Sequence, residues 1–184
     1  MAETQETRIQ DLEKEIAEKK RELYQLKRNA PEVRVKDYVF TGLDGQPVGL
    51  SELFGNQDQL IVVHNMGQSC SYCTMWADGF NGIFGYLQEK AGFALTSPDP
   101  PEVQKKFRNE RGWQFPIVST EGTTFKRDMG FENDKGQYGP GASVFRKDSA
   151  GTIYHCNDAE FGPGDDFCSV WPFYDLLPLQ QNES

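Results

Sequence analysis

The 184-residue sequence predicts one α/β domain, a central sheet flanked by helices, with a helical extension at its N-terminus. Two observations support this fold class. Strand-like and helix-like segments alternate between residues 33 and 119, which is typical of a layered fold built on a sheet. Residues 3–29 form instead one charged segment with a single apolar stripe. We therefore divide the chain into an N-terminal amphipathic helix, residues 1–30, and a domain over residues 31–184.

The helix predicted over residues 3–29 has apolar side chains at three- and four-residue intervals. The stripe consists of Ile9, Leu12, Ile16, Leu23 and Leu26. Pro31 ends the helix, because the residue before a proline disfavours helical geometry. An apolar stripe on a charged helix needs a partner surface. Packing on its own domain and pairing with a second copy, as a homodimer, are the two alternatives.

Strands and helices are predicted in turn along the remaining chain. The apolar run at residues 59–63 indicates a strand covered on both faces, and Asp99-Pro100-Pro101 is a favourable helix start. The predicted elements are a strand at 33–40, a turn at 42–45, one helical turn at 51–54, a strand at 59–66, a helix at 71–90, a strand at 92–97, a helix at 99–111, a strand at 115–119, a hairpin of 141–145 with 151–155, and a closing helix at 167–177.

Charge and hydropathy exclude several classes of partner. The chain has 28 acidic and 19 basic residues, a net charge of −9. It lacks the basic footprint that nucleic-acid binding requires, and an anionic membrane would repel it. Its longest unbroken apolar run, residues 60–63, is far shorter than the roughly 18 residues of a membrane span. The polar N-terminus lacks the features of a secretory signal, so we expect a cytoplasmic protein without structural disulfides.

The most informative motif is Cys70-Ser71-Tyr72-Cys73, which lies where a buried strand ends and a helix begins. The free N–H groups and partial positive charge of a helix N-terminus favour a thiolate at Cys70, which makes it nucleophilic. Cys73 lies one helical turn further and can attack a mixed disulfide formed at Cys70. The alternatives are a pair of inert buried thiols or half of a zinc site.

No metal or other cofactor is expected. Cys156 and Cys168 are twelve residues apart, which does not fit a zinc site, and we expect them to be buried thiols, with a second redox pair as the alternative. The glycine-rich motifs of nucleotide and dinucleotide sites are missing from the sequence. Reduction of a Cys70–Cys73 disulfide back to the dithiol would therefore depend on a separate reductant, a reductase or glutathione.

Further residues are candidates for the same site. Pro116 begins a predicted strand and, if the Phe115–Pro116 bond is cis, would lie against the cysteine turn; a trans proline is the alternative. His64 precedes Cys70 by six residues and could transfer a proton to or from Cys73, or be a core histidine. Tyr72, Trp76 and Phe115 are candidates for a substrate platform, although Trp76 fits the core equally well.

These residues resemble the thioredoxin superfamily, and more closely a bacterial family of thioredoxin-like proteins predicted to be dithiol–disulfide oxidoreductases of unassigned physiological role. The resemblance covers residues 5–155. It is carried by the motifs Val35-Lys36-Asp37-Tyr38-Val39-Phe40, Leu50-Ser51-Glu52-Leu53-Phe54-Gly55, Gln59-Leu60-Ile61-Val62, Cys70-Ser71-Tyr72-Cys73-Thr74-Met75-Trp76-Ala77-Asp78-Gly79-Phe80-Asn81-Gly82 and Gly112-Trp113-Gln114-Phe115-Pro116.

The resemblance implies a thioredoxin-like fold, with Cys70 as the attacking thiol, Cys73 as the resolving thiol and Pro116 as the facing cis-proline. The implied activity is thiol–disulfide exchange with a protein or small-molecule disulfide. The sequence departs from the family pattern of peroxiredoxins, because Gly67 stands three residues before Cys70 where those enzymes have Thr or Ser. A thiol peroxidase on the same fold and a non-catalytic binding module are the alternatives.

Overall fold

A computed structural model of the chain describes residues 4–178. The strands are β1 (Val33–Val35), β2 (Val39–Gly42), β3 (Pro47–Gly49), β4 (Gln59–His64), β5 (Gly92–Ser97), β6 (Ile117–Ser119), β7 (Gly141–Lys147) and β8 (Ile153–Glu160). The helices are α1 (Gln5–Arg28), α2 (Leu50–Leu53), α3 (Ser71–Gln88), α4 (Pro101–Arg111), α5 (Phe125–Asp128) and α6 (Val170–Asp175).

The strands form one mixed sheet in the order β1-β8-β7-β4-β5-β6-β2-β3. Neighbours β4, β5 and β6 are parallel and are joined by the crossover helices α3 and α4, whereas the remaining pairs are antiparallel. β4 lies inside the sheet, between β5 and β7. The predicted α/β architecture with a flanked central sheet is therefore confirmed.

Two apolar clusters cover the two faces of the sheet. Alternate residues of β4 point to opposite faces, so that Leu60 and Val62 belong to one cluster and Val63 to the other. The first cluster contains side chains of α2 and α5, and the second contains those of α3. Both faces of β4 are thus buried, which explains its continuous apolar sequence.

Helix α1 agrees with the prediction to within two residues at each end, and the Thr4 side chain caps its N-terminus. Its last two turns hold it on the domain: the Tyr24 hydroxyl donates to Asp166 at 3.0 Å, and the Lys27 ammonium donates to the Asp158 carbonyl at 2.9 Å. The apolar stripe is exposed, from 39% at Leu12 to 66% at Leu26. Packing of the stripe on its own domain is therefore wrong, and pairing with a second copy stays a prediction.

Several boundaries differ from those predicted. The strand at 33–40 is two strands, β1 and β2, and the closing helix is limited to Val170–Asp175. Sequence analysis missed β3 and α5, which have three and four residues and show no measurable periodicity. No helix within residues 4–178 has the length and hydropathy needed to cross a membrane.

Candidate functional site

Cys70 caps the N-terminus of α3, at the end of a six-residue connection from β4. Its backbone is extended, and its Sγ accepts a hydrogen bond from the Cys73 N–H at 3.1 Å. Its carbonyl accepts from the Thr74 N–H at 3.1 Å and from the Thr74 hydroxyl at 3.2 Å. The sulfur therefore occupies the position at which a capping side chain oxygen satisfies a free N–H of a helix.

The connection that leads to Cys70 is held by side chains at the ends of two strands. Gly67 has a φ of +112°, and its N–H donates to Asn65 Oδ1 at 2.7 Å. The next N–H, of Gln68, donates to Asp99 Oδ2 at 2.7 Å. The positive φ favours glycine at position 67, where a Cβ would also lie 3.0 Å from Asp99 Oδ1 and would displace that side chain slightly.

The two cysteines differ in exposure although they are one helical turn apart. Cys70 is partly exposed, whereas Cys73 is only 3% exposed and belongs to the apolar cluster beneath α3. Burial, followed by the hydrogen bond with Cys70, raises the pKa of Cys73 to about 12. Both residues are free thiols. The arrangement leaves Cys70 partly exposed and keeps Cys73 buried and protonated.

His64 is fully buried on the sheet face opposite to the cluster that contains Cys73. Its ring stacks on Phe131 with centroids 4.0 Å apart, and its Nε2 lies 2.9 Å from the Ser143 hydroxyl. That hydroxyl donates to Asp158 at 2.6 Å, so His64 Nε2 carries the proton. Burial holds the pKa of His64 well below its ordinary value. A neutral histidine packed among aromatic rings fits the core interpretation better than the proton-transfer hypothesis.

Lys126 is the charged residue that sequence analysis missed. It is 2% exposed, and its ammonium group donates to the Asn65 carbonyl at 2.9 Å and to the Thr96 carbonyl at 3.5 Å. These carbonyls lie just after β4 and near the end of β5, next to the connection that carries Cys70. Burial lowers the pKa of Lys126 to about 7, and the strongest opposing influence is the charge of Cys73. A lysine in a polar four-residue helix gave no signal of burial in the sequence.

The cis Phe115–Pro116 bond that the resemblance implied and the place of Phe115 in a substrate platform are both wrong. The Phe115–Pro116 bond is trans, like every other peptide bond of residues 4–178, as is common for X-Pro bonds in folded proteins. Pro116 is exposed, and its carbonyl accepts the Leu95 N–H at 2.9 Å. Phe115 is fully buried and stacks on Trp113, so it cannot belong to a substrate platform at the surface.

Of the other two platform candidates, only Tyr72 is exposed, at 52%. Trp76 is buried and its indole N–H donates to Asp165 at 2.9 Å, which attaches the C-terminal segment to α3. Sequence analysis missed Trp171, whose ring lies 5.7 Å from that of Tyr72 and whose Nε1 is buried without a partner among the described residues. Tyr174 of α6 extends this aromatic surface and is 60% exposed.

Cys156 and Cys168 lie in other surroundings. Cys156 is partly buried on β8, and its thiol donates to Glu32 at 3.6 Å. Burial and the charge of Glu32 raise the pKa of Cys156 to about 11. Cys168 is 6% exposed, just before α6. Within residues 4–178, no three His, Cys, Asp or Glu side chains are grouped so as to hold a metal ion.

Solved structures with a similar fold are redox proteins of the thioredoxin type. The peroxidoxin BcpB of Mycobacterium tuberculosis has a TM-score of 0.57 at 21% identity, over 70% of this chain and 84% of that one. The mitochondrial 2-Cys peroxiredoxin of Plasmodium falciparum has a TM-score of 0.55 at 15% identity, over 77% and 90%. A secreted M. tuberculosis disulfide oxidoreductase homologous to E. coli DsbE has a TM-score of 0.50 at 12% identity, over 68% and 84%.

The fold is therefore thioredoxin-like, as the sequence motifs implied. A family model described as "Bacterial protein of unknown function (DUF899)" matches residues 2–184, and the chain belongs to that family. No curated protein matches the sequence significantly.

Proposed function

We propose that this chain is a thiol–disulfide oxidoreductase that cycles Cys70 and Cys73 between dithiol and disulfide. The observation that supports the proposal most is the asymmetry of the two thiols. Cys70 is partly exposed and its sulfur accepts the Cys73 N–H at 3.1 Å, whereas the Cys73 side chain is buried one turn further. A reachable nucleophile with a protected second thiol beside it is what the dithiol mechanism requires.

The reaction has two exchange steps. The Cys70 thiolate attacks one sulfur of a substrate disulfide, a mixed disulfide forms, and the other substrate sulfur leaves as a thiolate. Cys73 then loses its proton and attacks Cys70 Sγ. The bond between Cys70 and the substrate breaks, the second substrate sulfur leaves, and a Cys70–Cys73 disulfide remains. A separate thiol reductant, such as glutathione or a reductase, returns this disulfide to the dithiol.

The surface beside Cys70 favours a protein disulfide as the substrate. Tyr72 and Tyr174 are exposed, and the rings of both lie beside the ring of Trp171. Aromatic side chains of this kind bind peptide segments through apolar contact and one or two hydrogen bonds.

The test is the reduction of insulin disulfides by dithiothreitol, with and without the protein. We expect the wild-type chain to accelerate reduction and Cys70→Ser to lose the acceleration, because a hydroxyl at this position cannot replace the thiolate. Full activity in Cys70→Ser would contradict the proposal.

A thiol peroxidase is the second candidate, because the similar structures named above include two peroxiredoxins. In that reaction a peroxide would oxidise the Cys70 thiolate to a sulfenic acid, and Cys73 would condense with it, releasing water. Stopped-flow mixing with hydrogen peroxide distinguishes the two. Fast oxidation of Cys70 without disulfide-reductase activity would favour the peroxidase, and slow oxidation with reductase activity would favour the exchange enzyme.

A further inference from the structure

The N-terminal part of α1 extends beyond the domain. Every side chain of residues 5–19 is exposed, and none of them forms a hydrogen bond or an ion pair with residues 29–178. Contact with the domain begins at Lys20, whose ammonium group pairs with Asp166. A helix of about fifteen residues is only marginally stable in water unless an apolar face is packed. This part of α1 therefore needs a partner surface.

The apolar stripe of α1 is separate from the face that contacts the domain. Lys20, Tyr24 and Lys27 bond to the domain and lie four and three residues apart, along one side of the helix. Tyr24 and Lys27 directly follow Leu23 and Leu26 of the stripe, which therefore lies about 100° around the helix from that side. Attachment of α1 to its own domain thus leaves the stripe open to a partner.

The stripe and Lys19 together form a heptad seam that is complementary to itself. The seam has alternating spacings of three and four residues and consists of Ile9, Leu12, Ile16, Lys19, Leu23 and Leu26. When a second copy runs in the opposite direction, each position lies opposite another position of the same seam: Ile9 opposite Leu26, Leu12 opposite Leu23 and Ile16 opposite Lys19. Every apolar side chain of one copy is then covered by a seam residue of the other.

Lys19 favours this antiparallel direction over a parallel one. In a parallel pair the two Lys19 side chains would meet in the same layer of the seam, and two facing ammonium groups repel each other there. In an antiparallel pair the aliphatic part of each Lys19 packs on Ile16, and the ammonium group stays at the edge with Glu22, to which it bonds at 3.0 Å. The charged seam residue therefore specifies the direction without preventing association.

The charges along α1 favour the same direction. Residues 5–18 contain five acidic and two basic side chains, whereas residues 19–28 contain one acidic and five basic ones. Antiparallel pairing places the acidic segment of each copy beside the basic segment of the other, and parallel pairing places like charges together. The helix dipole accounts only for charges in the first and last turns. A second copy is thus the partner whose charges complement both segments.

We propose that α1 is a dimerisation helix, and that two copies of this chain pair in antiparallel orientation through the seam. The twofold axis passes between Ala17 and Glu18. Both copies use the same surface, so the assembly closes as a dimer and presents no further seam. The seam contains none of the residues of the cysteine site, and the proposal goes beyond the dithiol cycle without depending on it.

The first measurement is the molar mass of the full chain by sedimentation equilibrium, with excess dithiothreitol to exclude intermolecular disulfides. We expect twice the monomer mass of 20.9 kDa at micromolar concentration. Leu12→Lys places an ammonium group opposite Leu23 and beside the basic segment of the other copy, and should raise the dissociation constant at least about a hundredfold. Gln10→Lys is the matched control, because it adds the same charge on the polar side of α1 and should leave the dimer nearly unchanged.

The second measurement determines the direction of pairing. The photo-crosslinker p-benzoylphenylalanine is placed at position 12 and irradiated, and the cross-linked dimer is mapped by mass spectrometry. We expect links to residues near Leu23. These residues are about 16 Å from position 12 along the same helix, so such links form only between copies. Links near position 12 of the other copy would show a parallel pair and overturn the proposal.

The remaining outcomes are equally decisive. A monomer at every concentration, or a dimer that Leu12→Lys leaves intact, would show that the seam does not pair with a second copy. Should Leu12→Lys fail to fold, as judged by circular dichroism, the cross-link decides, because the benzoyl side chain keeps position 12 apolar. Insulin reduction by either form bears only on the dithiol cycle, so the two proposals fail separately.

Discussion

The two pairs of cysteines in this chain show how placement decides thiol chemistry. The sulfur of Cys70 accepts an N–H at the start of a helix, whereas the sulfur of Cys156, on strand β8, donates to the carboxylate of Glu32. Donating to the Glu32 carboxylate favours the thiol form of Cys156. Cys73 and Cys168 are both buried, but only Cys73 lies one helical turn from a partner thiol. Residue type alone would not distinguish these four residues.

The largest effect is expected from the second step of the cycle. Cys73→Ser should leave the attack by Cys70 intact and stop the reaction at the mixed disulfide, because a serine cannot displace the bound substrate. Mass spectrometry of the protein after incubation with oxidised glutathione should show one glutathione attached at Cys70. The matched variant Cys168→Ser should release the glutathione from Cys70, as the wild type does. If Cys73→Ser also carries no adduct, Cys73 is not the resolving thiol and the two pairs of cysteines do not differ in this reaction.

The difference in thiolate character can be measured directly at Cys156. Its pKa of about 11 lies two pH units above the ordinary thiol value of 9.0. At pH 8 we therefore expect iodoacetamide to modify Cys156 about a hundredfold more slowly than an unperturbed cysteine. Glu32→Gln should increase the rate, since it removes the carboxylate charge. Alkylation of Cys156 ahead of Cys70 would contradict the comparison.

A smaller effect is expected at the aromatic surface beside Cys70. Tyr72→Ala removes an exposed ring that lies 5.7 Å from Trp171. Loss of one aromatic contact with a protein substrate corresponds to about 0.5–1.5 kcal/mol, or roughly a twofold to thirteenfold increase in KM. Tyr86→Ala is the matched control, because Tyr86 is 74% exposed near the other end of α3. Equal effects of the two variants would show that the surface does not bind substrate.

A pH-dependent effect on stability, rather than on activity, is expected for His64, whose hydrogen-bond network includes Ser143 and Asp158. An unfolded histidine gains a proton as the pH falls below about 6.5, but burial keeps His64 neutral in the folded chain. Stability is therefore lost as the pH falls through this window. Between pH 6.5 and 5, the free energy of unfolding of the wild type, measured with urea, should fall by up to about 1.4 kcal/mol per pH unit more than that of His64→Gln. If the free energies of unfolding of the two proteins change in parallel with pH, His64 gains its proton in the folded protein as well, which would contradict a neutral histidine in the core.

Sequence patterns predicted the features that depend on local order. The apolar run of β4, the cysteine turn at the start of α3 and the proline start of α4 each follow from neighbouring residues, and the structure has them within a few positions.

Features that depend on distant contacts could not be predicted. Lys126 is buried only because the short helix α5 brings it to the ends of β4 and β5, about sixty and thirty residues earlier in the sequence. The aromatic surface requires α6 to return to the start of α3, which Asp165 secures through Trp76. Side chains alternate between the two sheet faces along β4, so His64 lies on the same face as Leu60 and Val62. The face on which the cysteines lie depends instead on which side of the sheet the crossover helix α3 packs.

The most direct test of the central claim is a redox titration of the reduced protein. The chain is equilibrated in glutathione buffers of stepped potential, free thiols are alkylated, and the four cysteines are mapped by mass spectrometry. We expect Cys70 and Cys73 to lose their alkylation together, as a two-electron pair with one midpoint, while Cys156 and Cys168 remain alkylated as thiols. If Cys70 and Cys73 remain thiols throughout, or if Cys70 pairs with another cysteine, the proposed dithiol cycle is wrong.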